Sequence, residues 1–268
     1  MTVPDHAVTY ADAGEWQQLL HVENVWGTAV VLDLRAPVLP DDADEILRDA
    51  IAFLHQVDAW FSTYRADTPI TMLRNGLIEP FRAPKVVRDV LDACAYAKRL
   101  TGGTFDPWAV SGGVDPSGYV KGWAAGRAAD MVVARGIPNV SINASGDIAC
   151  RGLQSPGQLW AIGIQNPYDR MQVVEVVRIG DGAIATSGLY ERGDHIRDPR
   201  SGQHVVHYDS ATIVGPDAGL ADALATAALI EGPGCARWFA GMPDWSVYLI
   251  KDGEVSFFGP AFARGYAA

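Results

Sequence analysis

Asp222 and Thr226 stand four residues apart in DAGLADALATA (Asp217–Ala227), a stretch of helical character. At that spacing a carboxylate and a hydroxyl share one helix face, one turn apart. Two hard oxygens so placed can supply part of a Mg²⁺ shell. A solvated pair or a local hydrogen bond would look the same, so the reading depends on what else the chain offers. TGGTFDP (Thr101–Pro107) sets two glycines after a helix, where backbone amides can approach a ligand, and Asp106 can accept from an amine or hydroxyl. It also reads as a helix C-cap followed by an Asp-Pro turn. In DPSGYVKGW (Asp115–Trp123), Lys121 opens a helix, where the dipole opposes a cation. Either an anion holds it there or it is an ordinary surface lysine. NASGDIACRG (Asn143–Gly152) has a Gly-Asp turn that is a plain connection or a sugar- or phosphate-facing loop. Thr186-Ser187-Gly188 supplies two hydroxyls and a flexible backbone, suited to a phosphate or a flavin edge. His195 follows in a charged, turn-rich loop, as a functional or a solvated histidine.

Other chemistries fit poorly. His195, His204 and His207 lack the spacing of a helical HExxH, and no carboxylate–histidine frame accompanies them, which disfavours zinc. No GxSxG, Walker A or strand-linked GxGxxG occurs, which disfavours a serine hydrolase, a P-loop NTPase and a Rossmann dehydrogenase.

The elements that must position these residues are mixed. Val25–Arg35 reads as a strand. Asp41–Tyr64 reads as a helix capped by Asp41 or Asp42, with Ile46, Ala50, Phe53, Leu54, Val57, Trp60 and Phe61 at helical spacing. A loop with Pro69 and Asn75-Gly76 precedes a second helix over Pro84–Leu100. A glycine-rich section leads to a third helix, Tyr119–Arg135. Strands follow at Val140–Ala144, Asp147–Arg151, Leu159–Gln165, Val173–Ile179, Ala183–Thr186 and His207–Val214, then the Asp222 helix. Asp181-Gly182 is a hairpin signal, and Val247–Ile250 pairs with Glu254–Phe257 across Asp252-Gly253. Helices and antiparallel hairpins without βαβ regularity predict an α+β fold, one continuous unit with two lobes and a cleft between them.

The chain has 268 residues, 49% hydrophobic and 20% charged, enough for one large globular core or two small ones. A net charge of −11 argues against nucleic acid or an anionic membrane as the main partner. Cys94, Cys150 and Cys235 are odd in number and form no CxxC, so neither a redox pair nor a zinc ribbon is expected. The first residues show no cationic start, apolar core or lipid-attachment cysteine, and no run approaches 18 apolar residues. The expectation is a soluble, cytoplasmic protein with no membrane span.

In order and spacing, the motifs resemble the FAD:protein FMN transferase (ApbE) family. The matching series is WGT (Trp26–Thr28), FSTYRADTPITMLRNG (Phe61–Gly76), TGGTFDP (Thr101–Pro107) and DPSGYVKGWAAGRAAD (Asp115–Asp130). It continues with INASGDIACRG (Ile142–Gly152), WAIGIQNP (Trp160–Pro167), AIATSGLYERGDHIRDPRSG (Ala183–Gly202) and ADALATA (Ala221–Ala227). The resemblance runs from about residue 22 to 260, and implies an extension over 1–21 and an ApbE-type, T-fold-like domain over 22–268. It implies a flavoprotein-modifying transferase that moves FMN from FAD to a Ser or Thr hydroxyl of an acceptor flavoprotein, releasing AMP, with Mg²⁺ on the pyrophosphate. Carried over by motif, Asp222, Thr226 and the Gly118 carbonyl would be metal ligands, and Trp26, Tyr64, Thr104, Phe105, Asp106, Asp115 and Lys121 would contact FAD. His195 and Asp222 are the candidates to act on the acceptor hydroxyl.

The departures are specific. Trp26 stands where the family commonly has Met and still offers a flat surface for a ring. Arg197 replaces an aliphatic residue and adds a cation that could reach a phosphate. Ser145 replaces a glycine in the Gly-Gly-Asp turn, which it can do if its φ stays negative. Two other readings of the same site are a Mg-dependent FAD pyrophosphatase, with water as acceptor, and an FAD-binding protein without turnover.

Overall fold

A computed structural model describes residues 8–13, 16–188, 197–203 and 208–262. The described elements are β1 (Val8–Ala13), β2 (Trp16–Val25), β3 (Thr28–Ala36), α1 (Ala43–Phe61), α2 (Pro69–Arg74), α3 (Lys85–Leu100) and α4 (Ser117–Ala134). Then come β4 (Asn139–Ala144), β5 (Asp147–Arg151), β6 (Trp160–Asn166), β7 (Asp169–Ile179), β8 (Gly182–Gly188), β9 (Ser210–Gly215), α5 (Ala218–Glu231), β10 (Ser246–Lys251) and β11 (Glu254–Phe258). Nine strands form one antiparallel sheet in the order β1-β2-β3-β4-β5-β8-β9-β10-β11, and β6 and β7 form a separate ribbon. The class is α+β, as the mixed pattern predicts.

The central strands are buried on both faces. From β5, β8 and β10, Ala149, Ala183, Ala185, Val247 and Leu249 join the core beneath the helices. Their neighbours Ile148, Cys150, Ile184, Tyr248 and Ile250 pack the other way, against Trp160, Ile164, Val177 and Ile179 of the ribbon. Successive strand residues point to opposite faces, so a strand apolar throughout must be covered twice. The helices cover one face and the ribbon covers the other.

α1 is amphipathic and buries Ile46, Leu47, Ala50, Leu54, Val57 and Phe61. α5 is apolar all round, and within it only Thr226 and Glu231 keep partial exposure. Such a helix belongs inside the protein. It lies between α4 and strands β8 and β9. Its fit against α4 depends on glycine: a Cβ built on Gly122 would fall 2.1 Å from the Ala218 carbonyl oxygen. A Cβ on Gly219 would fall 2.7 Å from the Tyr119 ring. The two backbones therefore meet with no side chain between them at Gly122. Among the described residues no helix is long and apolar enough to cross a membrane.

Several sequence expectations are corrected. Asp42 occupies the N-cap position of α1 but makes no side-chain capping bond; its carboxylate accepts instead from Arg135 at 2.9 Å. Asp181-Gly182 does not close a hairpin: β7 pairs with β6, while β8 pairs with β5 and β9. The chain crosses there from the ribbon to the main sheet, and Asp181 Oδ1 accepts from the Gly152 amide at 2.9 Å. The loop around Pro69 holds α2, capped by Thr68, whose Oγ1 accepts from the Thr71 amide at 3.2 Å. Ser145 does not keep a negative φ; it sits at +59°, with Gly146 at +98°. This is the left-handed pair that a two-residue hairpin between β4 and β5 requires.

Gly122→Ala is expected to destabilise the protein by about 1–3 kcal/mol, because backbone must move to admit the methyl group. Gly126→Ala is expected to cost less, since its Cβ would meet only the Ala218 methyl at 3.4 Å. Urea unfolding midpoints of the two variants, at unchanged slope, check the order.

Candidate functional site

The tight turn between β2 and β3 consists of Trp26 at φ +59° and Gly27 at φ +72°. Both residues must be left-handed for so short a connection. Glycine adopts this freely, but a bulky residue does so at a cost of about 1–3 kcal/mol. The strained Trp26 lines a cleft of about 1360 Å³. Its indole Nε1 is buried and has no hydrogen-bond partner among the described residues. A buried donor left without a partner is rare in a folded protein, and this one lies in the residue that also carries the strained turn.

The cleft gathers separate elements. The end of α1 and the segment after it bring Asp58, Phe61, Tyr64 and Arg65. Tyr64 is 99% exposed, a free ring on the rim. The start of α4 brings Asp115, Ser117, Val120 and Lys121, the β4–β5 turn brings Ser145, and the ribbon brings Gln165 and Arg170. Asp115 Oδ1 accepts from the Ser117 amide at 3.0 Å, which turns the chain into the helix. Gly118 has φ −80° and ψ 17°, a kink inside the first turn, so regular helix resumes at Tyr119. Lys121 Nζ donates to Asp147 Oδ2 at 2.6 Å. Arg65 pairs with Asp67 at 3.0 Å and with Asp58 at 3.5 Å. Three cations therefore line a cleft in a chain of net charge −11.

Behind Lys121 lies the other polar group of the site. Asp222 is 1% exposed, and the Gly122 amide donates to its Oδ2 at 3.3 Å. Its charge acts on its neighbours. Burial chiefly, and Asp222 after it, pushes the Cys94 thiol well above its usual range. Burial and then Asp217, Cys94 and Asp222 do the same to the Tyr119 phenol. One turn along α5, Thr226 Oγ1 lies 3.2 Å from Ser187 Oγ of β8. Asp222 and Thr226, one turn apart on α5, are two side-chain oxygen donors of the kind a hard cation takes. Among the described residues no group of three or more His, Cys, Asp or Glu side chains could hold a metal. A set of one carboxylate, one hydroxyl and one backbone carbonyl is a different and weaker arrangement, suited to a hard ion.

The predicted residues thus divide. Trp26, Tyr64, Asp115 and Lys121 line the cleft together. Gly118 lies in the first turn of α4, Asp222 meets α4 through the Gly122 amide, and Thr226 meets β8 through Ser187. Thr104 and Phe105 are buried, and Thr104 Oγ1 lies 3.1 Å from Glu231 Oε2. Asp106 accepts from Lys98 at 2.7 Å and from the Trp108 amide at 3.0 Å. These three are not among the cleft-lining residues. Arg197 is exposed, and its Nη1 donates to the Gly202 carbonyl at 3.2 Å. His195 lies outside the described residues, as do His204 and His207.

Sequence reading did not single out Arg65, Arg170, Asp147 and Glu231. Arg65 and Arg170 carry no spacing signal, and Asp147 reads as half of a Gly-Asp turn. Glu231 is the centre of an ionic network that no motif announces. It accepts from Arg200 at 2.8 Å, from Arg237 at 2.5 Å and from Thr104. Arg200 also forks onto Asp198 at 2.8 and 3.0 Å.

A second buried charge stands on β2, bonded to a residue of α1. Glu23 accepts from His21 and His55, each at 3.0 Å. Burial raises the Glu23 carboxyl, but the two histidine contacts outweigh it and hold it below its ordinary 4.5. A depressed carboxylate stabilises the fold above its unfolded value, and the gain is lost as pH falls through the folded value. The stability difference between the protein and Glu23→Gln should therefore be full at neutral pH and shrink below about pH 4.5. Urea titrations across pH 3–7 (on the order of six points) check the sign.

A model of the ApbE family matches residues 109–249. A protein of Klebsiella pneumoniae (strain 342) named FAD:protein FMN transferase is 33% identical over 152 residues, 53% of this chain and 43% of that one. A Rhodobacter capsulatus protein of the same name is 30% identical over 190 residues, 66% of this chain and 34% of that one. In both cases the match takes in less than half of the relative's length. The fold is similar to that of the flavin transferase ApbE from Vibrio cholerae, with a TM-score of 0.79 at 23% identity, over 92% of this chain and 98% of that one. It is also similar to the ApbE protein of Thermotoga maritima, with a TM-score of 0.78 at 20% identity, over 90% and 96%.

Proposed function

Because the chain belongs to the ApbE family, we propose that it transfers FMN from FAD to a Ser or Thr hydroxyl of an acceptor flavoprotein and releases AMP. One juxtaposition carries the reading. A cleft with an aromatic and cationic lining, Trp26, Tyr64 and Lys121, backs through Gly122 onto the buried Asp222, one turn before Thr226 on α5. The name of the relatives, FAD:protein FMN transferase, supplies the reaction class.

The acceptor hydroxyl oxygen bonds to the flavin-side phosphorus as the bond from that phosphorus to the bridging oxygen breaks. AMP leaves with the bridging oxygen, and the hydroxyl proton passes to a base. The charge gathering on the phosphoryl oxygens must be stabilised, and Lys121, one of the three cations in the cleft lining, is the proposed group for it. Asp222, Thr226 and the Gly118 carbonyl would hold Mg²⁺, which when bound supplies further neutralisation of the pyrophosphate. Trp26 and Tyr64 offer faces for the flavin or adenine ring. His195 is the proposed base or orienter, from its place in the motif series.

Incubation with FAD and Mg²⁺, with and without an acceptor flavoprotein, tests the whole reading. Flavin covalently attached to the acceptor, with equivalent AMP, is the expected result. AMP released equally without acceptor would favour hydrolysis instead. Asp222→Ala is expected to abolish AMP release and to weaken Mg²⁺ binding by calorimetry, whereas Thr226→Ala is expected to be milder, because water can replace a neutral ligand. Near-normal turnover in Asp222→Ala would refute the metal assignment. His195→Asn is expected to slow transfer by roughly 10²–10⁴-fold, the usual loss with a general base, while the FAD dissociation constant stays nearly unchanged. Parallel loss of binding and rate in this variant would show that His195 only supports the loop.

A further inference from the structure

Lys121 stands near the N-terminal end of α4, where the helix dipole disfavours a cation. It lines the cleft, and its ammonium lies 2.6 Å from the Asp147 carboxylate. The Asp147 side chain is 4% exposed and that of Lys121 is 24% exposed, so the pair is shielded from water on the anion's side and open to the cleft on the cation's side. Asp147 itself has little freedom. It opens β5 between two neighbours, paired with Ala144 of β4 and Ala185 of β8. The turn before it is the strained Ser145-Gly146 pair, closed by the Asn143 side chain on the Gly146 amide at 2.9 Å. The Gly146 carbonyl in turn accepts from the Thr186 amide at 3.2 Å. Strain of this kind persists only where the surroundings over-determine it. Here it delivers a fixed carboxylate to the cleft wall.

An ammonium has three N–H donors. With one directed to a rigid carboxylate, the orientation of the other two follows. We propose that Asp147 is a positioning residue: it holds the Lys121 ammonium in the cleft, aimed at the pyrophosphate of a flavin dinucleotide. The inference rests on the FAD reading above and deepens it. Asp147 touches no part of the substrate. It sets the preference for a pyrophosphate-bearing flavin over one that lacks phosphate.

The test is calorimetric titration of FAD and of riboflavin, in one Mg²⁺ buffer, into the wild-type protein, Asp147→Asn, Lys121→Met and the double variant. Asp147→Asn is expected to lose on the order of 10–100-fold in FAD affinity, the scale of one hydrogen-bonded charge, with riboflavin affinity unchanged. The double variant should bind FAD no more weakly than Lys121→Met alone, since Asp147 acts only through Lys121. Unchanged FAD affinity in Asp147→Asn, equal losses for FAD and riboflavin, or losses that multiply in the double variant would each overturn the inference. If Asp147→Asn does not fold, Asp147→Glu is read in its place, because it keeps the charge and displaces it by one methylene. Intermediate FAD affinity with normal riboflavin affinity then supports the inference, and equal losses for both overturn it. A wild-type protein that fails to bind FAD overturns the functional reading and this inference with it. A wild-type protein that binds FAD beside unaffected variants overturns this inference alone.

Discussion

The contact of α4 with α5 at Gly122 is the constraint on which the site depends. A Cβ there would overlap the Ala218 carbonyl, so the helices meet backbone to backbone. This closeness lets the Gly122 amide reach the Asp222 carboxylate across the interface. It also fixes where Lys121 points, since the neighbouring residue is pinned. One face of α4 thereby serves the buried anion, and the next residue presents a cation to the cleft. Interiors pack near crystal density, so displacing either helix would move both groups at once.

Strain and charge are concentrated around the same cleft. Trp26 and Ser145 both occupy left-handed backbone, and both line it. Each is held there by the short hairpin it closes, β2–β3 and β4–β5. The stability given up at those turns is offset by a sheet whose central strands are buried on both faces. Charges away from the cleft are mostly tied to one another. Glu231 joins Arg200, Arg237 and Thr104 at the end of α5, and Arg200 in turn holds Asp198. Thr104 is thus engaged with the protein itself, and its motif joins the segment 101–107 to the end of α5.

The extent of the fold legible in the sequence follows the range of the interactions involved. The period of α1, Pro84 before α3, the glycines that follow α3 and α4, and the Asp252-Gly253 hairpin are local, and they stand where the residues indicate. α2 is a single short turn of helix without apolar periodicity, so Pro69 reads as a loop. Asp181-Gly182 carries the chemistry of a hairpin turn, but β7 is already taken by its neighbour β6, and β8 is taken by β5 and β9, which are not its neighbours across that turn. Asp42 has the right type and place to cap α1, but Arg135 competes for its carboxylate from 93 residues away.

By itself the sequence determined the α+β class, the helix carrying Asp222 and Thr226 on one face, and the order of motifs that marks the family. Each of these is written in spacing along one chain. Only the tertiary structure decided which polar residues share a cleft. Lys121 meets Asp147 across 26 residues, and Gly122 meets Asp222 across 100. It also turned Thr104 and Asp106 toward Glu231 and Lys98. The physical reason is that hydrogen bonds and ion pairs are short-ranged and directional, while sequence distance places no limit on which groups the packed helices and sheet bring within 3 Å.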